Sequence, residues 1–105
     1  MTEELLDHNL HWLEEPIWPP ENFAALADLR AEFGTKTSAG ENACTAWQFK
    51  AMLEAEAVDY AQPSVTKVGG VSEFLKVVNL AKHHNTYVAP HSPYFGPGYA
   101  ATLQL

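Results

Sequence analysis

Short apolar stretches alternate with longer segments of helical spacing along almost the whole chain, and this alternation is what most restricts the fold. Leu10-His11-Trp12-Leu13 is a first strand candidate, and Pro19-Pro20-Glu21 is a proline-led helix start. Phe23, Leu26, Arg30 and Phe33 then follow roughly helical spacing, and Gly34 offers a stop. Thr35 to Gly40 can form a second strand. Thr45-Ala46-Trp47-Gln48 matches a capping box, in which the Thr hydroxyl and the Gln side chain three residues on satisfy orphan N–H groups, so a helix is expected through about Glu56. A third strand lies near Asp59 to Gln62. Beyond Gly69-Gly70, Ser72 is the expected cap of a helix carrying Phe74, Val77, Val78 and Ala81 on one face. Thr86 to Ala89 is the fourth strand, and after a Pro- and Gly-rich loop Tyr99 to Leu105 begins another helix. Strands that alternate with helices predict an α/β fold of parallel strands joined by helical crossovers, here about four β-α units.

Composition excludes several classes. With 105 residues and 47% hydrophobic content, one ordinary domain is the upper bound, and neither a disordered chain nor a membrane protein fits. Thirteen acids against six bases give a net charge of −7, which opposes polyanions and anionic membrane surfaces, so no nucleic-acid or membrane partner is expected. Cys44 is the only cysteine, which rules out an internal disulfide. Met1-Thr2-Glu3-Glu4 lacks a basic, apolar leader, and no run approaches membrane-spanning length; a cytoplasmic location is the expectation.

The polar residues fall in register with the strands. Glu14, Glu41, Ser64 and His91 each lie just past a strand candidate, at separations of 27, 23 and 27 residues, about one strand-helix unit each time. A parallel barrel gathers the C-terminal ends of successive strands around one mouth, where catalytic groups of such barrels sit. Carboxylates one strand apart can share a hard cation such as Mg²⁺, which takes oxygen ligands, and a histidine across the mouth can move a proton near neutral pH. The adjacent acids of Trp12-Leu13-Glu14-Glu15-Pro16 also have a bland reading, as solvated residues of a loop, and residue types alone leave both open.

The segments Trp12-Leu13-Glu14-Glu15-Pro16, Gly40-Glu41-Asn42, Lys67-Val68-Gly69-Gly70 and Pro90-His91-Ser92, in this order and spacing, resemble the enolase superfamily in its mandelate racemase/muconate lactonizing branch of acid-sugar dehydratases and racemases. The resemblance runs from about Asn9 onward. It implies that residues 1–105 are a partial C-terminal barrel domain of a TIM-type (β/α)₈ fold, roughly its fifth-to-eighth-unit side, with the N-terminal capping domain and the early strands absent. It further implies enzymes that bind a sugar-acid carboxylate substrate on Mg²⁺ and remove the proton next to it. Glu14 and Glu41 match metal ligands, and His91 matches a barrel-end histidine that acts as base in racemases and often as acid in dehydratases. Ser64 stands where an orienting Asp is usual. A hydroxyl holds an imidazole tautomer weakly and hardly raises its basicity, so a proton-donating His91 is favoured over a strong base.

A third ligand Asp and a second acid/base from earlier strands have no counterpart here, and a complete barrel takes about 250 residues. The expectation is a fragment of a Mg²⁺-dependent sugar-acid dehydratase, inactive alone. The alternative is a catalytically incompetent chain that only binds metal or associates with itself, as a homodimer or larger assembly, through exposed barrel edges. Leu13, Ala39, Ala61 and Val88 are expected to fill the barrel interior. His8 and His11 are read as surface histidines, and His83-His84 as favourable charges at a helix C-terminus. Lys67 is assigned to internal charge pairing, Trp18, Trp47 and Tyr94 to packing, with Tyr94 a possible pocket border, and Cys44 to a small buried hydrophobe.

Overall fold

The computed structural model describes residues 2–93 and 95–105; Tyr94 lies outside them. A short helix α1 (Thr2–Leu5) continues into a 3₁₀ turn, Leu6–His8, which ends at Asn9 in the left-handed region. Then come β1 (Leu13–Glu14), α2 (Phe23–Phe33), β2 (Thr37–Ala39), α3 (Ala46–Glu54), β3 (Tyr60–Ala61), α4 (Val71–His83), β4 (Tyr87–Val88) and α5 (Pro97–Thr102). The four strands form one parallel sheet in chain order, β1-β2-β3-β4. This is the expected α/β architecture, four β-α units of a partial barrel, with strands of only two or three residues.

Register decides what each strand faces. Glu14, Ser38, Tyr60 and Tyr87 share one rung, while Ala39, Ala61 and Val88 share the next. Because side chains alternate along a strand, these rows face opposite sides of the sheet. Ala39 and Ala61 pack with Leu26, Phe49, Met52, Leu53, Phe74 and Val77, with Val88 at the margin, so their side is the helix side. The expectation that Leu13, Ala39, Ala61 and Val88 fill the barrel interior is therefore reversed for Ala39, Ala61 and Val88. Two small alanines let α3 and α4 approach the sheet closely. The interior row is aromatic and polar instead: Tyr60 and Tyr87 stack with centroids 5.4 Å apart, and Trp12 lies 4.8 Å from Tyr60.

Local chemistry explains the helix ends. Asn22 caps α2 by accepting from the Ala25 N–H, so the helix starts beyond the two prolines. Thr45 caps α3 as expected, accepting from the Gln48 N–H at 3.2 Å. The Gln48 side chain reaches one residue further back, to the Cys44 N–H at 2.7 Å. At α4 the cap is Gly70, at φ 96°, without a side-chain bond, and Ser72 falls inside the first turn rather than at the cap. His83 occupies the last turn of α4 and donates from Nδ1 to the Asn79 carbonyl at 3.0 Å.

Four residue assignments are corrected. Cys44 is exposed, because its N–H is held by Gln48 ahead of the helix and its Sγ turns to the Asn42 carbonyl. Lys67 is exposed on the turn following β3 and needs no internal charge partner. Trp18 is 88% exposed and Trp47 77%, so neither packs the core: one stands on the β1–α2 loop, the other on the outer side of the first turn of α3. No helix of the described residues is long and apolar enough to cross a membrane.

Candidate functional site at the C-terminal end of the sheet

The two adjacent acids after β1 are separated by the backbone. Glu15 adopts φ 41° and donates its N–H to the Ser38 carbonyl at 2.9 Å. That turn leaves Glu14 on the interior row and sends Glu15 over the loop after β2, where it accepts from Asn42 Nδ2 at 3.2 Å. Burial above all, and then the negative charge of Glu41, push the Glu15 carboxyl above its ordinary value; the Gly40 N–H and the Asn42 amide oppose this, and Glu14 adds a smaller upward push. Glu15 thus feels the charge of both neighbouring carboxylates.

Glu14 is held from one side. Its Oε2 accepts from Gln62 Nε2 at 2.9 Å and from Trp12 Nε1 at 3.3 Å. Gln62, 5% exposed, sits just past β3. Its Oε1, like the hydroxyl oxygens of Ser38 and Ser92, is buried with no hydrogen-bond partner among the described residues.

Glu41 and His91 meet directly, Oε2 to Nε2 at 2.9 Å. The fully buried Ser64 lies 3.0 Å from His91 Nδ1 and donates to the His91 carbonyl at 3.0 Å. A hydroxyl has one proton. That proton goes either to the carbonyl or to Nδ1, while Nε2, facing a carboxylate, carries an N–H in both cases. The ring is held by Ser64 behind and Glu41 in front.

Of the residues singled out from sequence, Glu41, Ser64 and His91 form one contact chain. Glu14 stands at the same end, linked to it through Glu15, whose charge is coupled to both acids. Among the described residues no group of three or more His, Cys, Asp or Glu side chains is arranged to hold a metal. Glu14 and Glu41 supply carboxylate oxygens, the donor type that a hard cation takes. His11 is engaged elsewhere, its Nε2 3.1 Å from the Tyr60 hydroxyl. Gln62 and Glu15 received no role from sequence. The signal for Gln62 was its place two residues before Ser64, which puts both on one side of an extended chain.

The family model for enolase C-terminal domain-like proteins matches residues 1–105. The chain belongs to this family. It is 33% identical over 91 residues to the L-talarate/galactarate dehydratase of Salmonella typhimurium, covering 87% of this chain and 23% of that protein. It is 32% identical over 105 residues to the D-xylonate dehydratase of Haloferax volcanii, covering 100% of this chain and 25% of the other. Among solved structures, the L-talarate dehydratase of Polaromonas sp. JS666, complexed with Mg and L-glucarate, superimposes with a TM-score of 0.82 at 32% identity, over 87% of this chain and 25% of that one. This enolase-family chain therefore spans about a quarter of the length of these three relatives, which are sugar-acid dehydratases.

Proposed function

We propose that the chain carries one side of a sugar-acid dehydratase site, with Glu14 and Glu41 as ligands of Mg²⁺ and His91 as proton donor. The observation that carries this is the Glu41–His91 contact at 2.9 Å, backed by Ser64 on Nδ1. A bound Mg²⁺ would supply positive charge for the substrate carboxylate and for the charge that develops when the neighbouring proton leaves. His91 would then give its Nε2 proton to the departing β-hydroxyl, so that the C–O bond breaks and water leaves. Ser64 keeps the ring oriented without the basicity an aspartate would add, which suits an acid better than a base. The group that removes the α-proton and the remaining metal ligand would come from outside these 105 residues.

A second reading has its own support: two carboxylates without a third is a weak cation site, and the chain alone would then be catalytically incompetent. Mn²⁺ binding, followed by electron paramagnetic resonance, tests the ligands. Weak binding is expected for the unsubstituted chain, reduced at least about tenfold in Glu41→Gln because a charged ligand is lost; equal affinity would remove Glu41 from the ligand set. With Mg²⁺ and a panel of sugar acids, the chain alone is expected to give no 2-oxo-3-deoxy acid. Product that forms, and disappears in His91→Asn, would discard the incompetent reading.

A further inference from the structure

We propose that Gln62 is a positioning residue for the Glu14 carboxylate, fixing which of its oxygens is offered to a cation. This rests on the metal-binding reading above. Neighbouring strands are about 4.8 Å apart, so a side chain leaving β3 for β1 must pass over β2. Gly40 makes that crossing open. Its φ is 125°, and the Cβ it lacks would point at Phe49, 2.7 Å from Cε1, on the helix side. Gly40, the residue after β2, therefore places no side chain on the interior side, and Gln62 reaches Glu14 past it.

The orientation of the amide follows from charge. Turned the other way, Gln62 would set its carbonyl oxygen against a carboxylate; as placed, Nε2 donates to Glu14 Oε2 at 2.9 Å. The Trp12 indole N–H converges on the same atom. With both donors on Oε2, Oε1 would be the oxygen left free to hold a cation. The Gln62 Oε1 left over is buried and has no partner among the described residues. A buried acceptor of this kind would be satisfied by an O–H donor such as an ordered water.

The test uses the full 105-residue chain and Mn²⁺ as probe. Gln62→Met keeps length and packing and removes both polar atoms. It is expected to weaken Mn²⁺ binding by about tenfold, within the range for partners that orient a ligand, and to change the resonance line shape of the bound ion, which a loss of packing elsewhere would not move. A metal-free measurement runs beside it: the Gln62 side-chain amide resonance should shift in Glu14→Ala. Unchanged affinity and line shape in Gln62→Met, with circular dichroism intact, would overturn the proposal while leaving Glu14 and Glu41 as ligands. No Mn²⁺ binding by the unsubstituted chain would overturn the metal reading and this inference with it. An amide resonance indifferent to Glu14 would overturn the contact itself.

Discussion

Asp59 shows how single side chains fasten the end of the sheet opposite the site. Arg30 donates to it twice, from Nε at 2.9 Å and from a terminal nitrogen at 2.7 Å, and the Thr37 N–H adds a third bond at 3.0 Å. Burial pushes the Asp59 carboxyl up, but the Arg30 hydrogen bonds, the Thr37 N–H and the charges of Arg30 and Lys36 together bring it below its ordinary value. A depressed folded-state value stabilises fully above the unfolded value, about 3.9, and that stabilisation is lost as pH falls through the folded value. Glu15 acts with the opposite sign: its raised value stabilises below the unfolded value and costs stability as pH rises through the folded one. Urea midpoints measured against pH should therefore rise on mild acidification and fall below about pH 4. Glu15→Gln should remove the rise and Asp59→Asn should flatten the fall. Arg30→Ala should cost about 1–2 kcal/mol at neutral pH, less than a fully buried pair because the side chain is partly exposed.

At the scale of elements, β2 and α3 are locked by Gly40 and Phe49. Phe49 is fully buried at the centre of the helix-to-sheet core, and its ring edge fills the space a Cβ on Gly40 would need. Gly40 also holds a backbone angle that other residues adopt only under strain. Gly40→Ala is expected to lower stability by about 2–4 kcal/mol, from overpacking and backbone strain together, read as a drop in the thermal midpoint. Glu41 follows directly, so the same substitution should weaken Mn²⁺ binding. A variant with an unchanged midpoint would show that the ring moves aside freely. The packing that holds the sheet together and the turn that aims Glu41 are thus one feature.

For the whole molecule, the open sheet is the dominant fact. β1 and β4 each pair on one side only, and the interior row of Trp12, Tyr60 and Tyr87 has no covering layer among the described residues, with Tyr87 67% exposed. Unpaired strand edges and exposed apolar surface both recruit partners. Four units are half of eight, so two copies could close face to face with two-fold symmetry, burying the aromatic rows against each other. Sedimentation of the isolated chain is expected to show association: a discrete dimer for closure, a broad distribution for unspecific contact. A compact monomer that unfolds cooperatively would refute both. Tyr87→Lys, placing a charge in the row, should shift the distribution toward monomer.

The order of elements, their parallel arrangement and the placing of Glu14, Glu41, Ser64 and His91 at one end of the sheet were legible in the sequence, because each depends on patterns a few residues long: alternation, helical spacing, Asn22 or Thr45 at a cap, Gly34 at a stop. What needed the tertiary structure was every relation across strands. Strands of two or three residues are too short for alternation to declare a face, so the helix-side packing of Ala39 and Ala61 emerged only from register. The exposure of Cys44, Lys67, Trp18 and Trp47 depends on loops whose course hydropathy does not describe. The Glu41–His91 pair and the reach of Gln62 to Glu14 join residues 50 and 48 positions apart. Such contacts follow from the spacing of neighbouring strands and from a glycine between them, and no local pattern carries that distance.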